Sequence, residues 1–179
     1  QRKKESLMLQ RLLPFLLLAL LVLTPAAQAA ELPGDSAFVA TALYIDAGDR
    51  DIPGLDLLNK GLNQVLRMQM SSLLLGSEVY VGTDVLRDLN RHGITNAASA
   101  QTTNLTSYCV DRQVKNVILF TVNPLDMVVD CKAFTAIDEQ FVVDKRMTPP
   151  EGGLMSTSYD RLAALFTTEL PAIVATLKG

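Results

Sequence analysis

The chain has one histidine and two cysteines among 179 residues. It also lacks any apolar run of about 20 residues, the length a helix needs to cross a bilayer. Two cysteines exclude a disulfide-dense scaffold, and ten glycines with eight prolines exclude a collagen repeat. One histidine and two cysteines cannot close a tetrahedral metal shell without carboxylates. No G-x-S-x-G elbow, P-loop, G-x-G-x-x-G or H-E-x-x-H occurs. What remains is an ordinary folding composition, 49% hydrophobic and 20% charged, which excludes a wholly disordered chain. The length suits one domain.

Mean hydropathy is +0.23, and a short stretch near the start supplies much of it. Arg2, Lys3, Lys4 and Arg11 precede the apolar run Leu12–Leu23, and Ala27-Gln28-Ala29 follows it. A basic start, about a dozen apolar residues and an A-x-A triplet are the three parts of a secretory signal. The pattern predicts a signal peptide over residues 1–29 and one α/β domain over 30–179. An uncleaved anchor is the competing reading. The initiator lies upstream of Gln1 or is Met8. Cleavage after Ala29 would leave 12 basic against 18 acidic side chains and move the net charge from −3 to −6. An acidic chain without a basic stripe argues against nucleic acid and against a polybasic membrane-surface segment. The expected location is the periplasm, with outer-membrane association open and no stable membrane insertion after cleavage.

Export brings Cys109 and Cys131 into an oxidising compartment, where an even count suits one disulfide. Two buried free thiols are the alternative.

Periodicity then gives the elements. Phe38–Ile45 reads as a strand covered on both faces, and Asp46–Gly54 as a loop. Leu55 to Leu75 repeats apolar residues at spacings of three, four and seven and reads as a helix stopped by Gly76. Glu78–Val81 is a short strand, and Thr83 a candidate N-cap for the helix Asp84–Arg91. Asn104–Gln113 is a further helix, and Asn116–Val122 the clearest strand. Met127–Ile137 and Gln140–Lys145 form an antiparallel hairpin around Asp138-Glu139. A last helix spans Ser158 to Lys178, with Pro171 expected to bend or interrupt it. The order β-α-β-α-α-β-β-β-α predicts an α/β fold of α+β character, a single mixed sheet with helices packed on it.

Candidates for chemistry are few. His92, at a helix end beside Gly93, reads as a capping residue facing exposed carbonyls. Asp46, Asp49 and Asp51, with Asp56 nearby, are the only metal candidates. Turn and helix-start carboxylates explain them more simply, since the spacing departs from a calcium loop. Met68, Met70 and Met127 read as core filling. Asn104-Leu105-Thr106 matches the N-glycosylation triplet, a frequent chance match. No catalytic residue and no cofactor is assigned.

The layout resembles the TolB N-terminal-like group of exported bacterial envelope modules, which includes the CsgG-, LpoB- and FlgO-type proteins. The residues that carry the resemblance are the opening strand Phe38–Ile45 and the long helix before Ser77-Glu78-Val79-Tyr80-Val81. The short helix Thr83–Leu89, the strand Lys115–Phe120, the paired strands Met127–Ile137 and Gln140–Val143, and the closing helix continue it. The resemblance implies a non-enzymatic accessory module of flagellar, secretion, polysaccharide-export or wall-synthesis machinery. Its partners would be envelope proteins, with a homo-oligomer left open. It carries no lipidation cysteine and transfers no functional residue. The alternative is an exported small-ligand or metal-binding protein, and behind it a hydrolytic enzyme.

Overall fold

A computed structural model describes residue 32 and residues 34–179; the expected signal peptide over 1–29 lies outside the described residues. The elements are β1 (Ala37–Ile45), α1 (Leu55–Leu73), β2 (Val79–Val81), α2 (Thr83–Arg91), α3 (Thr102–Arg112), β3 (Val114–Asn123), β4 (Val128–Thr135), β5 (Gln140–Met147) and α4 (Ser158–Lys178). The order is the one expected from the sequence, and all five strands join one mixed sheet with helices packed on it.

The strands are arranged β2-β1-β3-β4-β5. β1 lies parallel to both β2 and β3, whereas β3–β4 and β4–β5 are antiparallel. From β1 the chain steps outward to β2, then crosses back over β1 to reach β3. Crossovers of one hand running in opposite directions place their helices on opposite faces. Accordingly α1 packs on one face with α4, around Leu62, Leu66, Met70, Phe120 and Phe166. α2 and α3 pack on the other, around Leu89, Ile94, Leu105, Tyr108 and Phe134. β1 lies between two strands and two helical layers, which is why its sequence is almost continuously apolar.

The antiparallel end of the sheet is built differently. One face of β4 and β5 adds Val129, Cys131, Ala133 and Met147 to the core beneath α1 and α4. The other face carries Asp130 paired with Arg146 at 2.7 Å, and Lys132 beside Asp144 at 3.8 Å. Burial on one side and solvated ion pairs on the other require alternation, the pattern visible in that part of the sequence.

Three local expectations change. Gly82, with φ 120°, takes the N-cap position of α2, and Thr83 is already inside the first turn. A Cβ at residue 82 would meet Arg67 Nη2 at 3.1 Å, so both backbone and space favour glycine there. Pro171 sits inside α4 without ending it. Met70 is fully buried and Met127 packs against the core, but Met68 is exposed.

Candidate functional site

The bridge expected between Cys109 and Cys131 is not formed. Both thiols are free and buried. Cys109, on α3, belongs to the core on one side of the sheet, and Cys131, on β4, to the core on the other. A disulfide needs Cα atoms within about 7 Å and Cβ vectors that converge, and the sheet itself stands between these two. Burial pushes both thiols up to about 12.

Asp46, Asp49 and Asp51 lie on the β1–α1 loop and all three are exposed. Asp46 Oδ1 accepts from Gly48 N–H at 3.1 Å, an Asx-type turn. Among the described residues no group of three or more His, Cys, Asp or Glu could hold a metal ion. Of the three, Asp46 shapes a turn, and Asp49 and Asp51 are exposed on the same loop.

His92 is the C-cap residue of α2. Its Nδ1 donates to the Asp88 carbonyl at 2.8 Å, and its Nε2 lies 2.8 Å from Asp111 Oδ2. The ring also meets Tyr108 edge-on at 5.6 Å. The imidazole thus ties the end of α2 to α3, as capping requires. Asn104 Nδ2 is engaged as well, donating to the Ser99 carbonyl at 3.2 Å while Oδ1 accepts from Gln101 N–H at the start of α3.

A concave feature lies beside this α2–α3 junction, at the β2 edge of the sheet. A cavity of about 640 Å3 opens between the two helical layers, within the size range of ligand sites. Val79, Tyr80 and Val81 of β2 form its floor, Arg67 of α1 one wall, and Tyr108 and Arg112 of α3 the other. β2 is there because only one of its sides is paired, to β1. Arg67 Nη2 donates to the Val81 carbonyl at 3.1 Å.

Asp88 anchors the α2 side. It is 5% exposed, pairs with Arg91 at 3.2 Å and also with Arg112. Buried carboxylates require such partners, since desolvation is costly without them. Asp84 pairs with Arg87, and Asp111 with His92. Asp84 and Asp88 are therefore compensated by arginines, and Asp111 is held by the imidazole. Arg67 has no carboxylate partner among the described residues.

Tyr108 completes the wall. It is 1% exposed, and burial raises its phenol well above the ordinary tyrosine value, with Cys109 and Tyr44 adding to the effect. Tyr44 donates to the Ile94 carbonyl and Tyr80 to Glu78, but no hydrogen bond reaches the Tyr108 hydroxyl among the described residues. That hydroxyl is not one of the fully sealed unpaired atoms, and Tyr108 lines the cavity.

The sequence reading missed this site. Asp88 and Arg91 are visibly three apart on one helix, but Arg112 and Tyr108 reach the cavity only through α3 packing beside α2. Comparison with family models, curated proteins and solved structures returned no match. No helix among the described residues is long and apolar enough to cross a membrane.

Proposed function

We propose that the protein is a non-enzymatic accessory module of a bacterial cell-envelope assembly, exported to the periplasm and working through its surface. The observation that carries the reading is how the reactive side chains are used. Both thiols are sealed in the core, both nitrogens of His92 hold the α2–α3 junction, and Asp88 is engaged by two arginines. Nucleophilic catalysis needs an activated group beside a positioned base and exposed to substrate. These side chains build structure instead. The basic-apolar-small start supports export, and the resemblance in element layout to envelope modules supports the accessory role.

The test is mild crosslinking of the tagged protein in envelope extract of its own host, followed by capture. Recovery of one defined envelope complex is the expected result and names the machine. Recovery of nothing, from protein verified as folded, overturns the accessory role. The cavity at the β2 edge gives the alternative, a small-ligand carrier, its own readout: a ligand retained through purification and detected by native mass spectrometry.

A further inference from the structure

The two edges of the sheet are treated differently. An edge strand offers unpaired backbone groups to any passing strand, and proteins blunt such edges with charge, inward-pointing charged residues and irregular register. β5 carries all three: Asp144 and Arg146 on its solvated face, Lys145 pointing inward to Glu169, and a register shift opposite Ala133/Phe134. β2 carries none of these three, and its only such device is its short length. Its three residues, Val79-Tyr80-Val81, are uncharged strand formers, and they lie on the floor of the cavity rather than beneath a covering element.

Two further groups point at an occupant. Arg67 presents a guanidinium with five N–H donors, one of which is used, on the Val81 carbonyl. It is the arginine of the cavity wall without a carboxylate partner among the described residues. Opposite it, Tyr108 is 1% exposed and lines the cavity, and its hydroxyl has no hydrogen-bond partner among the described residues. Buried tyrosine hydroxyls ordinarily find one.

We propose that the cavity receives an extended peptide segment of a partner protein that carries a carboxylate. The segment lies along the outer edge of β2 as an added strand, its carboxylate meets Arg67, and the Tyr108 hydroxyl donates to one of its carbonyls. Strand addition supplies main-chain hydrogen bonds, and the flanking side chains supply selectivity. The charge balance sets the sign. Asp84 and Asp88 are paired with arginines, whereas Arg67 has no carboxylate partner among the described residues, so its guanidinium is the group on the wall that an incoming carboxylate would meet. This proposal rests on the accessory-module reading and names the surface and the partner chemistry it would use.

A phage-displayed library of linear heptapeptides, selected on the purified protein, tests it. Recovered peptides should share an aspartate or glutamate and shift the backbone amides of Val79–Val81 in amide-resolved NMR titrations. Arg67→Gln should weaken them by at least about tenfold, as expected for loss of a charge-assisted contact, and Arg67→Lys should restore part of that loss. Tyr108→Phe should weaken binding with an unchanged melting temperature. Failure to enrich any peptide overturns the proposal. So do shifts elsewhere on the chain, equal binding by wild type and Arg67→Gln, or full displacement by acetate, which would mark a site for free acids. The envelope capture separates the two ideas. A complex captured equally by wild type and Arg67→Gln removes this site and leaves the accessory role standing. Peptides that bind β2 while no envelope complex forms do the reverse.

Discussion

Burial holds Cys109 and Cys131 at about 12, so at neutral pH each remains a thiol, and the thiol is the unreactive form. Iodoacetamide should therefore leave the folded protein unmodified and label two positions once it is unfolded without reductant. A chain in which unfolding exposes no alkylatable group would contain the bridge after all. A count of cysteines carried the bridge reading as far as it could go, because which face of a sheet each residue occupies is set by strand order and not by spacing. The carboxylates divide in the same way. Asp46, Asp49 and Asp51 are exposed loop residues, so reversing their charge should change stability by no more than about 0.5 kcal/mol. Calcium should not move the melting temperature, since a bound cation would raise it by linkage. Asp88 differs, being buried between Arg91 and Arg112. Asp88→Ala should cost about 2 kcal/mol by urea titration, whereas Asp84→Ala, which breaks an exposed pair, should cost under about 1. Spacing alone could not rank these two, for both have an arginine three residues on.

Among the elements, α4 shows what local chemistry can specify. Thr157 Oγ1 accepts from Asp160 N–H at 3.2 Å, and Asp160 Oδ2 accepts from Thr157 N–H at 2.9 Å. The Thr157 N–H and, after it, the Thr157 hydroxyl, which donates to the same Oδ2 at 2.7 Å, hold the Asp160 carboxyl below its ordinary pKa. Its folded value lies below its unfolded value, so its contribution is present above the unfolded pKa and is lost as pH falls through the folded one. Thr157→Ala should cost about 1 kcal/mol at neutral pH. The gap from wild type should narrow in acid, followed by denaturant melts across the carboxylate range. The boundaries of α4 were legible because periodicity and cap agree. The start of α2 was not: Thr83 has a capping side chain, but Gly82, in a positive-φ backbone that L side chains rarely adopt, holds the cap position before it.

At the scale of the whole molecule, stability comes from two cores on either side of one sheet. Phe166 of α4 meets Phe120 of β3 edge-on, with ring centroids 4.9 Å apart, and both are fully buried. Phe166→Ala should cost about 3–5 kcal/mol, and Leu154→Ala, at a fully exposed position, close to nothing. Equal effects in thermal or denaturant unfolding would contradict this division of the core. The sequence declared its elements through apolar period, and the hairpin of β4 and β5 through proximity. It did not declare that β1 sits between β2 and β3, since those pairings join distant segments. For the same reason the cavity at the β2 edge stayed hidden, its walls meeting only after α1 and α3 have packed on opposite faces.

The placement of β1 also has a consequence in time. Residue 39 pairs with residue 116, so a chain emerging from its N-terminal end presents its most apolar strand long before the strand that pairs with it exists. Non-local pairing of this kind slows folding, because loop closure precedes any gain from contact. The β3-β4-β5 meander is local and should gain protection first in pulsed hydrogen exchange, with β1 protected last. Until β3 has formed, β1 is an apolar strand whose partner on that side is absent.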